Sequence, residues 1–218
     1  MNFLTRLGFA LVAALCFAIP SAQAQAHKMS AQDLADVARI EAYFNAITTL
    51  SAEFSQIAPD GRVSIGDFYM RRPGRLRFEY APPVPLLIVA DGFRLIFYDH
   101  ELGQVNAWPV AATPLGPLVA RTVDFINSGH AQAVKSQPGI LRLTLVDPNR
   151  PDEGSITLVF QDDPLELRQW DVTDPQGLVT VVVLTGMRIN PDLEPELFVF
   201  NEPGAEAPDV EEEPDPSP

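Results

Sequence analysis

Gly66 to Pro114 reads GDFYMRRPGRLRFEYAPPVPLLIVADGFRLIFYDHELGQVNAWPVAATP, and this stretch decides the fold. Short runs, alternating or continuous in apolar residues, stand between turn signals at Arg72-Pro73-Gly74, Pro82-Pro83 and Asp91-Gly92. Leu76, Phe78 and Tyr80 alternate with Arg75, Arg77 and Glu79, so one side of that strand is apolar and the other charged. Asp91-Gly92 predicts a hairpin of strands 86–90 and 93–98. Phe68, Tyr69, Phe78, Tyr80, Phe93, Phe97, Tyr98 and Trp108 crowd these runs, and no pair of residues obviously performs covalent chemistry. A curved sheet so rich in large apolar side chains suits the holding of something greasy.

Outward from this stretch the pattern continues. Period-two alternation over Leu50–Gln56 and a turn at Pro59-Asp60-Gly61 predict a strand pairing back with Val63–Met70. Further strands are expected near 75–80, 103–108, 130–135, 140–146, 155–160, 165–172 and 178–188, about eleven in all. Ser30-Ala31-Gln32-Asp33 resembles a capping box, and Leu34, Val37, Ile40, Phe44 and Ile47 then recur at helical spacing with one stripe facing an apolar surface. Leu118, Thr122, Phe125 and Ile126 predict one or two more helices within 117–127. The fold class is mainly β (α+β): an antiparallel meander curled into an unclosed barrel of about eleven strands, with α-helices over its concave side as a lid. Between sheet and helices lies an apolar interior.

The N-terminus says where the chain works. One positive charge, an apolar run over Leu7–Ile19 and Ala22-Gln23-Ala24 make residues 1–24 a secretory signal peptide, with Ala24-Gln25-Ala26 as a second register. Cys16, the one cysteine, lies inside the apolar run after Leu15, which does not look like a lipoprotein cleavage site, and cleavage removes it. The expected compartment is the periplasm. Residues 25–203 form one domain. Seven of the 29 acidic residues fall after Asn201, so 204–218 reads as an acidic, Pro-rich tail, disordered beyond about Pro208. A net charge of −14 excludes general nucleic-acid binding, which needs phosphates neutralised. His27, His100 and His130 form no pair at metal-ligand spacing, and neither a Gly-x-Ser-x-Gly elbow nor a phosphate-binding glycine loop appears. No catalytic residue, metal or cofactor is expected.

The order of local patterns resembles the outer-membrane lipoprotein carrier protein (LolA) family. It runs Phe54-Ser55-Gln56, then Gly66 to Pro73 (GDFYMRRP), Val89-Ala90-Asp91-Gly92, Phe97-Tyr98, Gln104 and Thr113-Pro114, closing on Phe198-Val199-Phe200-Asn201-Glu202-Pro203. The match is dense up to Pro114 and sparser beyond. The resemblance implies an unclosed barrel under a helical lid and a periplasmic, monomeric chaperone without enzymatic activity. It implies triacylated lipoproteins as cargo, taken from an inner-membrane lipoprotein-releasing ABC transporter and passed to an outer-membrane acceptor lipoprotein. The lack of a lipid-attachment motif favours the carrier over the lipid-anchored acceptor. The other readings are a periplasmic lipid- or lipoprotein-binding sensor or regulator, or a carrier of another lipid, on the same fold.

Arg72 stands out. In strand register it shares a side with Phe68 and Met70, while Tyr69 and Arg71 point the other way. A guanidinium at the end of an apolar face is costly unless carbonyls or carboxylates satisfy its donors. The family resemblance implies that it bonds the lid helices and latches them shut; the plainer reading is an arginine reaching solvent beside a turn. Phe68, Met70, Leu76, Phe78 and Tyr80, with Ile88, Leu95 and Phe97, are the expected lipid-cavity residues. Arg71, Arg75 and Arg77 read as a solvated basic edge.

Overall fold

The computed structural model describes residues 29–201. The expected signal peptide 1–24 and the expected tail 204–218 lie outside these residues.

Helix α1, Ala31–Asn45, starts where the capping box placed it. The Ser30 hydroxyl accepts from the Asp33 amide at 3.1 Å, and the Asp33 carboxylate accepts from the Ser30 amide at 2.8 Å. Such a cap is worth about 1 kcal/mol. Val37, Ile40, Phe44 and, beyond the helix end, Ile47 are buried. Leu34, expected on the same stripe, is 40% exposed, so the buried face begins a turn later. Asp36 is instead buried there, its carboxylate bonded by Arg39 at 2.9 Å and Gln32 at 3.2 Å.

Eleven strands form one antiparallel sheet among the described residues: β1 (Thr49–Ile57), β2 (Val63–Arg71), β3 (Arg75–Tyr80), β4 (Leu86–Asp91), β5 (Arg94–Asp99), β6 (Gln104–Pro109), β7 (Ala131–Gln137), β8 (Ile140–Leu145), β9 (Ser155–Asp162), β10 (Leu165–Thr173) and β11 (Val179–Ile189). Their order is β6-β5-β4-β3-β2-β1-β11-β10-β9-β8-β7. The chain thus makes two meanders joined at the pairing of β1 with β11, rather than the one continuous meander read from sequence. β6 and β7 are the free edges, and the barrel is unclosed. Residues 110–130 must therefore cross from one edge to the other.

That crossing holds a 3-10 turn at Val110–Ala112 and a four-residue helix α2, Gly116–Val119. Of the one or two helices expected there α2 forms, but the helical pattern does not carry on through Phe125 and Ile126. After Ala120, which is extended at ψ 154°, backbone groups find partners on other elements instead of along a helix. Asn45 Nδ2 donates to Val123 O at 2.9 Å, and its Oδ1 accepts from the Val123 amide at 2.9 Å. Glu41 Oε1 accepts from the amides of Phe125 and Ile126 at 2.7 and 3.0 Å. Helical spacing of apolar residues reported which side faces inward, and side-chain acceptors set the backbone.

The outer face carries a second correction. Arg71 Nη1 donates to Leu193 O at 3.3 Å, and Arg77 Nη1 to Leu197 O at 3.2 Å. These two arginines hold segment 190–201 across the outside of the sheet, where Leu193 and Phe198 are buried and Phe200 meets Tyr98 at 5.4 Å between ring centres. Arg75 alone of the expected basic edge is exposed.

Gly66 fits where no side chain could. A Cβ there would lie 2.1 Å from Glu79 O and 2.8 Å from the Phe54 ring. Gly66→Ala is expected to cost about 1–3 kcal/mol by overpacking. Denaturant midpoints measure it, and an unchanged midpoint would show that the β3 backbone at Glu79 and the Phe54 ring both yield freely.

Candidate functional site

The concave face and the crossing segment enclose one apolar cluster. Leu50, Met70 and Leu76 form one row across adjacent strands, continued by Ala90, Leu95 and Trp108; Ala52, Phe68 and Phe78 form the next, continued by Ile88 and Phe97. Alternation along each strand puts these side chains on the same side. Rings interlock: Phe54 meets Phe78 at 5.3 Å and Tyr80 at 5.0 Å, Phe68 meets Phe78 at 4.7 Å, and Trp170 meets Phe68 at 5.4 Å. Opposite them Phe44 from α1 packs edge-on against Phe125 of the crossing and Phe160 of β9.

Of the eight cavity residues named from sequence, Phe68, Met70, Leu76, Phe78 and Tyr80 are buried in this cluster. Ile88 and Leu95 are half-buried against it. Phe97 lies beyond, half-buried on the same side toward the β6 edge. Burial pushes the Tyr80 phenol up to about 12, and its hydroxyl donates to Gln56 Oε1 at 2.8 Å, so this polar tip is uncharged and satisfied. Between Phe44, Met70, Leu118, Val119 and Trp170 a void of about 20 Å³ remains. That volume holds about one water, so side chains of α1 and the crossing fill the interior.

Arg72 sits where these layers meet. Its Nε donates to Ala120 O at 2.9 Å, its Nη2 to Arg121 O at 3.0 Å and to Asn45 Oδ1 at 3.1 Å, and its Nη1 to Ile47 O at 3.2 Å and to Phe44 O. The guanidinium thus bonds the C-terminal end of α1 and the crossing at once. α1 has no basic residue of its own in its last turn, so Arg72 also supplies the positive charge that the negative end of the helix favours. Burial lowers its pKa from the ordinary value, the one cause being desolvation.

Sequence reasoning named Leu118 and Phe125 as lid residues but missed the others that complete this site. Leu118, Val119 and Phe125 line the interior from the crossing, and Leu167 and Trp170 from β10. Glu41 and Asn45 tie the crossing to α1. Their only signal was two polar side chains four residues apart flanking the stripe that includes Phe44. Among the described residues no group of His, Cys, Asp or Glu is arranged to hold a metal, and no helix is long and apolar enough to cross a membrane.

Known proteins similar to this chain bear one family description. The family model described as "Outer membrane lipoprotein carrier protein LolA" matches residues 45–201. A protein named outer-membrane lipoprotein carrier protein from Alkalilimnicola ehrlichii is 31% identical over 217 residues, covering 91% of this chain and 92% of the other. One of the same name from Legionella pneumophila is 32% identical over 190 residues, covering 81% and 90%. A crystal structure of a LolA superfamily protein from Nitrosomonas europaea aligns at 13% identity with a TM-score of 0.42, over 75% of this chain and 97% of that one. A family-model match over most of the chain and relatives of this identity and coverage lead to one assignment: the chain belongs to the LolA family of outer-membrane lipoprotein carrier proteins.

Proposed function

We propose that the mature chain is a monomeric periplasmic chaperone. It receives triacylated lipoproteins from an inner-membrane ABC transporter and passes them to an outer-membrane acceptor lipoprotein. The cargo's acyl chains enter between the sheet and the lid made of α1 and the crossing, against Phe68, Met70, Leu76, Phe78, Tyr80, Ile88, Leu95 and Phe97. The observation that carries this reading is the reach of Arg72, whose donors tie both parts of the lid to the β2–β3 turn.

Energetics favour such a device. Exposing acyl chain to water costs about 0.8 kcal/mol per methylene, so three chains never diffuse free. Moving them from bilayer to apolar interior costs little, since both are dry. Entering chains displace Phe44, Leu118 and Val119 from the sheet, one apolar contact replacing another. What they must also break is polar: the Arg72 bonds. Arg72 is then the latch, and closing the lid competes with holding cargo.

The test is native mass spectrometry of the protein taken from its periplasm. The expected polypeptide begins after Ala24 or Ala26, carries no acyl mass of its own, and in part holds a triacylated lipoprotein. A covalent lipid on a retained Cys16 would make it an anchored acceptor. A free glycolipid or phospholipid as the constant companion would replace the cargo class.

A further inference from the structure

Three turns converge at the latch end of the barrel. The Gly74 amide donates to Val119 O at 2.7 Å, and a Cβ on Gly74 would come within 2.7 Å of Gly92 O, so the β2–β3 turn, the β4–β5 turn and the lid touch there. The Val110 amide donates to Phe93 O at 2.9 Å and brings the end of β6 to the same rim. On this rim Phe93 is 84% exposed and Trp108 51% exposed. At the same end Arg75, which opposes Asp91 across the sheet, Arg94, which opposes Pro109, and Arg121, whose carbonyl Arg72 bonds, are exposed.

Phe93 is not a loose side chain that missed the core. Its amide is held by Asp91 Oδ1 at 2.9 Å, and its carbonyl by Val110. The Asp91 carboxylate also accepts from the Arg94 amide at 2.8 Å and from Arg94 Nη2 at 3.3 Å, so it is engaged within its own turn. A fixed backbone therefore presents a phenyl ring to solvent, next in sequence to Arg94. Single exposed apolar residues are ordinary. Two aromatics and three exposed arginines on one rim of a chain with net charge −14 are a localised chemical feature. An anionic surface repels most of such a protein and attracts this end, so charge alone would orient the molecule. Aromatic rings settle at the level of lipid headgroups, and arginine is drawn to anionic lipid.

We propose that this rim is a docking surface for an anionic phospholipid bilayer, with Phe93 entering the headgroup region and Arg75, Arg94 and Arg121 meeting phosphates. It rests on the carrier reading for its purpose. Docking there sets the latch, the lid and the half-exposed ring of Trp108 against the membrane from which acyl chains come or into which they go.

The experiment is flotation of the mature protein with phosphatidylcholine vesicles and with equimolar phosphatidylcholine/phosphatidylglycerol vesicles, read with tryptophan emission. Trp170 is buried at 3% exposure, so a change on binding reports Trp108. The expected result is flotation with the anionic vesicles only, weakened by salt, with a blue shift. Each of Arg75→Gln and Arg94→Gln is expected to lower partition about fivefold. Phe93→Ser is expected to lower it about tenfold and, at an exposed site, to leave thermal stability unchanged. Absence of flotation, or variants that float like the wild type, overturns the proposal. Binding to native inner-membrane vesicles without binding to pure lipid would give the rim to a membrane protein and equally overturn it. None of these outcomes alters the bound mass that tests the carrier reading.

Discussion

Arg72→Leu is expected to shift the protein toward an open lid and to trap cargo. The wild-type guanidinium donates to Phe44, Ile47, Ala120 and Arg121 carbonyls and to Asn45 Oδ1, so one substitution removes every bond by which β2–β3 holds both parts of the lid through this side chain. Charged hydrogen bonds contribute about 1.5–3 kcal/mol in net, less what the guanidinium loses by desolvation. A change of that size alters the open-to-closed ratio roughly ten- to a hundredfold. Leucine adds no competing polar group and suits the apolar row of Phe68 and Met70, so uptake of lipoprotein should survive. Release should slow, because closing no longer competes with the acyl chains for the interior. Arg71→Leu is the control. It removes a guanidinium one residue away whose bond, at 3.3 Å, runs to Leu193 on the outer face. Transfer assays from membrane to carrier and from carrier to acceptor separate the two steps. Equal behaviour of the two variants would reduce Arg72 to a structural arginine beside a turn.

Why the strand that carries Arg72 was legible and the partners of Arg72 were not follows from where the signals reside. Strand boundaries came through to within a residue or two at most positions, since each run alternates and is closed by Gly, Pro or Asp. β3 and β4 are examples, at Arg75–Tyr80 and Leu86–Asp91. The pairing of β1 with β11 left no local trace. Leu50 opposes Ile189 through contacts made only when the chain has folded, and the bulge between Ser51 and Glu53 interrupts even that register. In the crossing, apolar spacing was right about burial and wrong about backbone. Leu118 and Phe125 do face inward and Ile126 is half-buried, but Thr122 is exposed and Val123 takes the inward place, because Glu41, Asn45 and Arg72 take over hydrogen bonds that a helix would have made with itself. Outside the sheet, Arg71 and Arg77 looked solvated because their acceptors are main-chain carbonyls more than a hundred residues away. Side chains that answer to distant backbone are what a local pattern cannot show.

Glu41→Ala is expected to uncouple the two halves of the lid. One carboxylate oxygen accepts from consecutive amides, Phe125 at 2.7 Å and Ile126 at 3.0 Å, in a segment whose Phe125 side chain is 1% exposed. Alanine leaves both donors without that acceptor in a partly buried place, where each unsatisfied group costs about 1–3 kcal/mol. Water reaching the site will reduce the sum, so a loss of about 2–4 kcal/mol is expected. Glu41→Gln keeps an acceptor oxygen without its charge and should lose about half as much. The distinguishing measurement is hydrogen exchange. Amides of Phe125 and Ile126 should exchange faster in Glu41→Ala by a larger factor than those of α1, which keeps its own cap at Ser30. Uniform acceleration across α1 and the crossing would mean that the whole lid had loosened from the sheet, and that Glu41 acts on closure rather than on the joint within the lid. If the joint is what fails, Arg72 still grips α1 through Phe44 and Ile47, but the crossing beyond Val119 is then tied to α1 and the β2–β3 turn by the Asn45 and Arg72 bonds. Effects of Glu41→Ala and Arg72→Leu should then exceed their sum when combined, because both act on the same segment.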